Sequence, residues 1–213
     1  AVAGGVAFHT AYHCLRSTAR VAAGDDIVVL GAGGGVGLAT VALASAIGAR
    51  VTAVASTDEK LDVAAEHGAS AVINHRTTDD LRAALQQVLP TGARAVIDPV
   101  GGDLSEPALR ALARGGRFVT VGYASGTIPS IPLNLVLVKG IHILGFQFQD
   151  VPAEEFSRNE AELRELLITG AARPHIGAEY PLDEVAAALR HVADGKAIGK
   201  VLITVGRHLR SIG

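Results

Sequence analysis

Short apolar runs alternate with amphipathic stretches along most of the chain. Residues 28–30, 50–55, 71–74, 95–98, 117–121 and 141–145 are strand-like segments rich in Val, Ile and Ala. They run as near-continuous apolar stretches, the pattern of parallel strands covered on both faces. Between them lie helical patterns at residues 3–20, from near Val36, at 58–67, at 79–89 and at 104–112, closed by Gly24, Gly68, Pro90 and the Gly115-Gly116 pair. This alternation predicts an α/β fold with a doubly wound, parallel six-stranded sheet in the order 3-2-1-4-5-6. Beyond residue 150 the pattern changes to a charged amphipathic helix at 154–169, a segment at 175–180, a helix at 183–193 and a strand at 200–205. The chain is accordingly divided into 1–150, a dinucleotide-type domain with its leading helix, and 151–213, a C-terminal segment. It carries no internal repeat and no low-complexity tract.

The segment joining the first strand to its helix reads GAGGGVG over residues 31–37. Glycines there remove side chains where backbone would approach a pyrophosphate, and the following helix offers free amides and a partial positive charge. In the G-x-G-x-x-G register the three positions are Ala32, Gly34 and Gly37, so the motif is a variant of the dinucleotide fingerprint. Gly33, Gly34, Gly35 and Val36 are therefore assigned to the phosphates of a dinucleotide. A carboxylate at the end of the second strand would accept the ribose 2′-hydroxyl, but the chain has Ala55-Ser56-Thr57 there, with Asp58 only beyond. Lys60 and the His75-Arg76 pair place donors and positive charge where a 2′-phosphate would lie. The expected cofactor is NADP(H). Taken singly, Lys60 also reads as a solvated helix residue and His75 as a loop residue. The turns Asp98-Pro99-Val100-Gly101-Gly102 and Val121-Gly122-Tyr123-Ala124 follow the fourth and fifth strands, at the sheet edge where such folds bind ligands.

The glycine turn is accompanied, in order, by TAYHCL from Thr10, STDEKL from Ser56, AVINHR from Ala71, VIDPVGG from Val96, GGRFVTVGYASG from Gly115, IPLNLVLVKGIHILG from Ile131 and IGKVLITV from Ile198. With these runs the chain resembles the zinc-independent quinone oxidoreductase branch of the medium-chain dehydrogenase/reductase superfamily, built on a Rossmann domain. The resemblance implies that Ser56, Lys60 and His75 contact the 2′-phosphate and that Val100, Gly101 and Gly102 flank the nicotinamide-side ribose. It further implies that Val121, Gly122, Tyr123 and Ala124 pass beside the nicotinamide and that Phe146, Gln147 and Phe148 meet its carboxamide. The family's substrate barrel precedes TAY, and that segment is expected to be largely missing here, through excision or natural truncation. The segment after residue 150 would return to that barrel, leaving its last strands without their usual partners. The resemblance also implies a homodimer joined through the sixth strand.

Hydride transfer to a quinone or an α,β-unsaturated carbonyl needs mainly proximity and orientation, so no catalytic triad is expected. Thr10, Tyr12 and Tyr123 are the weak candidates for a catalytic hydroxyl. No metal site is expected. Val6 stands where zinc-dependent relatives place a metal-binding cysteine, Cys14 is the one cysteine, and no metal-ligand spacing is read among the 8 histidines. A net charge of −2 gives no basis for a nucleic-acid or membrane partner, and no apolar stretch reaches the ~20 residues of a membrane helix. Neither a basic start nor a signal-like apolar core opens the sequence, so a soluble, cytoplasmic protein is expected. The leading functional reading is NADPH-dependent reduction of a quinone or enone. The alternatives are an enoyl reductase domain of a larger synthase and a non-catalytic dinucleotide-binding sensor or structural module.

Overall fold

The computed structural model of the protein describes residues 5–205. The start of the expected leading helix, residues 3–4, lies outside them. In chain order the elements are α1 (Gly5–His13), β1 (Asp26–Leu30), α2 (Gly35–Ile47), β2 (Arg50–Ala55), α3 (Asp58–Glu66), β3 (Ala71–Asn74), α4 (Leu81–Val88) and β4 (Ala93–Asp98). They continue as α5 (Ser105–Arg110), β5 (Leu112–Thr120), α6 (Asn134–Lys139), β6 (His142–Gly145), α7 (Ala153–Ile168), β7 (Ile176–Pro181), α8 (Val185–Ala193) and β8 (Lys200–Thr204). β1 to β6 form one parallel sheet in the order β3-β2-β1-β4-β5-β6, the expected topology.

Strand alternation divides the core into two layers. Ile27, Val29, Val51, Ala53, Ala95 and Ile97 face a cluster completed by α1, α2, α3 and Leu163 of α7. Val28, Leu30, Val54, Val96 and Phe118 face the opposite cluster, closed by Leu81, Leu85, Ala108, Leu109 and Leu135. Both faces of the central strands are dry, which explains why their sequences are apolar throughout. Local signals set several boundaries. The Thr57 hydroxyl accepts the Lys60 amide at the start of α3, and the Asp80 carboxylate accepts the Ala83 amide at the start of α4.

Three elements differ from the sequence expectation. The helix expected through residue 112 stops at Arg110, because the Lys139 ammonium draws off the Arg110 and Leu112 carbonyls at 2.7 and 2.8 Å and the Ala93 amide takes that of Ala111. β5 therefore starts early and loops out: Ala93 faces Leu112, whereas Ala95 faces Arg117. α6, which contributes Lys139, was not foreseen as a helix. The last strands, expected to lack their usual barrel partners, pair in parallel with each other as a separate β7-β8 sheet connected by α8.

Candidate functional site

The β1–α2 turn is built by close backbone approach. Gly31 takes a positive φ of 60°, the Gly34 amide donates to the Gly31 carbonyl at 2.9 Å, and α2 begins at once from Gly34. A Cβ on Gly37 would fall 2.1 Å from the Gly31 oxygen, so the helix packs on the turn only because that position is glycine. The amides of Gly35, Val36 and Gly37 lie in the first helical turn, which has no intrahelical acceptors of its own.

This turn lines a cavity of about 530 Å³ at the carboxyl edge of the sheet. Gly33, Gly34, Gly35 and Val36 meet there with Ser56, Lys60, His75 and Arg76 from β2, α3 and the segment after β3, and with Val100 and Ala124 from the turns after β4 and β5. The Lys60 ammonium donates to the Gly195 carbonyl at 2.6 Å and to the Ser56 hydroxyl at 3.4 Å. Burial, then the Arg76 guanidinium, lowers its pKa from the ordinary lysine value. The same two causes lead in holding the His75 imidazole below the ordinary histidine value, with Lys60 adding to them. Lys60 and Arg76 set positive charge beside the neutral donors of Ser56 and His75 at this corner of the cavity, an arrangement that stabilises an anion.

The turn after β4 is held by Asp98. Its buried carboxylate accepts the Val100 and Gly101 amides, both at 2.8 Å, and the Ser105 hydroxyl at 2.6 Å. The Ala124 and Ser125 amides donate to the Pro99 and Val100 carbonyls, and Gly102 donates to Thr127, lacing the two edge turns together. Gly101, Gly102, Val121, Gly122 and Tyr123 support this rim without lining the cavity; Tyr123 is exposed.

The remaining candidates are not among the residues that line this cavity. Phe146 is buried and meets Phe148 edge to face at 5.1 Å, and Phe148 meets the His13 ring at 5.7 Å, on the α1–α7 side. Gln147 lines a different, small cavity with Ser17 and Arg20. Thr10 is buried within α1, and the Tyr12 hydroxyl donates to Glu162 at 2.7 Å. Burial and the Glu162 carboxylate push the Tyr12 phenol far above its ordinary pKa, which keeps it neutral. His9 and His13 do stand one helical turn apart, a spacing the sequence reading passed over, and both rings hydrogen-bond the same Glu160 oxygen at 2.8 and 2.7 Å. Among the described residues no group of three or more His, Cys, Asp or Glu is arranged to hold a metal ion.

The sequence reading missed the contribution of the C-terminal segment. Gly195 lines the cavity, the Gly199 amide donates to the Gly33 carbonyl at 2.9 Å, and a Cβ on Gly35 would meet the Lys200 side chain at 3.2 Å. The available signal was the pair of glycines at 195 and 199, each with positive φ and each followed by a lysine.

Comparison with known proteins matches this arrangement to a family. The model of the family described as zinc-binding dehydrogenase matches residues 35–167. The quinone oxidoreductase-like protein 2 of Bos taurus is 37% identical over 206 residues, covering 94% of this chain and 58% of that protein. The quinone oxidoreductase of Homo sapiens is 33% identical over 200 residues, covering 93% of this chain and 60% of that protein. The chain thus spans somewhat more than half the length of these relatives. The crystal structure of Escherichia coli quinone oxidoreductase, complexed with NADPH, superposes with a TM-score of 0.86 at 28% identity, over 96% of this chain and 64% of that one. With the family match extending over more than half of its residues, the chain belongs to the zinc-binding dehydrogenase family and is a quinone oxidoreductase-like member of the medium-chain dehydrogenase/reductase superfamily.

Proposed function

We propose that the chain is the NADPH-binding portion of a zinc-independent oxidoreductase that reduces quinones or α,β-unsaturated carbonyls. The observation that carries this reading is the cluster of Ser56, Lys60, His75 and Arg76 beside the glycine turn, in a cavity that no carboxylate lines among the described residues. The first-turn amides of α2 hold the pyrophosphate, and the cluster takes the 2′-phosphate in charge-assisted hydrogen bonds. Lys200, packed beside Gly35, adds a cation near the pyrophosphate. A bound nicotinamide supplies the hydride. The turns after β4 and β5 orient it, with Val100 to Gly102 toward its ribose and Val121 to Ala124 toward its ring, while Phe146, Gln147 and Phe148 form the wall beyond its carboxamide. Val6 offers no metal donor at the position its zinc-dependent relatives would use.

The second wall of the cleft is assigned to a segment that the longer relatives carry. The chain alone is therefore expected to oxidise NADPH with a small quinone, followed by absorbance, more slowly than a version joined to that segment, and to use NADPH faster than NADH. Equal use of the two cofactors, or no quinone-dependent oxidation by either version, would contradict the reading.

β6 lies at the edge of the sheet with Ile143 exposed, which leaves unpaired backbone groups for a second copy. We assign the homodimer to this edge. Ile143→Pro removes a ladder donor there, so light scattering is expected to give a dimer for the parent and a monomer for the variant, with circular dichroism unchanged. A monomeric parent at high concentration would remove the assignment.

A further inference from the structure

At the amino edge of the sheet, opposite the glycine turn, a cavity of about 300 Å³ opens between the end of α4 and the starts of β4 and β5. Arg82, Arg110, Arg114 and Lys139 line it together with Gln86 and Thr91, and among the described residues no aspartate or glutamate does. In a chain of net charge −2 this is an unusual concentration of one sign. Arg110 is paired with Glu106, from which it is 2.6 Å away, whereas Arg82, Arg114 and Lys139 have no carboxylate partner among the described residues.

The cavity exists because β5 loops out. Gly92, with φ 83°, lies so close to this loop that a Cβ there would meet the Ala113 amide at 2.7 Å. Two arginines fix the loop: Arg94 donates to the Gly115 carbonyl at 3.1 Å and Arg114 to the Val138 carbonyl at 2.8 Å. Lys139 spends two ammonium hydrogens on the Arg110 and Leu112 carbonyls, leaving the third. Burial, then the Arg82 and Arg110 charges, lowers its pKa from the ordinary lysine value. Capping the carbonyl end of α5 accounts for Lys139 but not for Arg82, which sits in the first turn of α4.

We propose that this cavity is a binding site for a small phosphoryl dianion, either free phosphate or the head of a phosphate monoester. Planar guanidinium groups match phosphoryl oxygens in pairs, and a cleft lined by one sign of charge concentrates counter-ions. The site is distinct from the dinucleotide cavity and does not depend on the function proposed for it.

Calorimetric titration of the chain with inorganic phosphate and, separately, methyl phosphate tests this in buffered sodium chloride. Arg82→Gln removes a guanidinium that has no carboxylate partner among the described residues, and Gln86→Glu places a carboxylate in the cavity from an exposed helix position while keeping the hydrogen bonds that support the loop. Saturable millimolar or tighter binding of at least one probe is expected, weakened at least tenfold in both variants and unaffected by NADPH; tighter methyl phosphate points to a monoester, tighter inorganic phosphate to the free ion. Absence of binding by both probes would mean that the cations serve only the helix ends. Parent-like affinity in either variant, or displacement by NADPH, would equally overturn the site.

Discussion

Gly37→Ala is expected to lower stability by about 3 kcal/mol, a fall in Tm of roughly 10 °C, and to abolish dinucleotide binding. The added methyl would sit 2.1 Å from the Gly31 oxygen and 2.7 Å from its carbonyl carbon. Both are backbone atoms of the turn, so no side chain can swing aside to relieve the overlap. The turn must move off α2, and the first-turn amides lose their aim. Gly34→Ala provides the contrast. A Cβ there would stand 3.4 Å from the Gly31 oxygen, at an ordinary φ of −83°. That variant is expected to stay within about 1 kcal/mol of the parent yet bind dinucleotide at least tenfold more weakly, because the methyl occupies the surface a phosphate must approach. Thermal unfolding and calorimetry separate the two effects. A Gly37→Ala protein as stable as the parent would show that the turn is not under this constraint.

Lys60→Ala is expected to remove most of the preference for NADPH over NADH, on the order of 1–3 kcal/mol, while leaving NADH affinity nearly unchanged. The Lys60 ammonium is held by the Gly195 carbonyl at 2.6 Å and by the Ser56 hydroxyl at 3.4 Å. It is thus already oriented across the cavity, and a 2′-phosphate would replace a neutral acceptor with a charged one. NADH has no such group, so its binding rests on the glycine turn. An equal loss for both cofactors would indicate that Lys60 supports the cavity wall through Gly195 and does not read the phosphate.

Sequence alone carried the sheet and much of the cavity, because their determinants are local. Apolar runs at residues 50–55 and 95–98 needed only their own composition to read as buried strands, and the order of strands follows from right-handed crossovers. The glycine turn and the missing strand-end carboxylate were readable for the same reason. What escaped was decided over long separations. The end of α5 depends on Lys139, 29 residues after Arg110, and the β5 loop depends on the same lysine. Lys60 meets Gly195 across 135 residues, so the C-terminal contribution to the cavity left only a faint trace in the two glycine-lysine pairs. Tyr12, a weak candidate for a catalytic hydroxyl, donates to Glu162, 150 residues away, a partner its sequence neighbours do not reveal. Phe148, which the family resemblance sets beside the carboxamide, packs its ring on His13, 135 residues earlier, a contact that no local pattern announces.

The central claim is that the cavity beside the glycine turn takes a dinucleotide and selects it by the 2′-phosphate. Calorimetric titration of the unaltered chain with NADPH and NADH, under identical salt, tests it most directly. One site for each is expected, with NADPH bound at least tenfold more tightly; equal affinities, or tighter binding of NADH, would contradict selection by the 2′-phosphate.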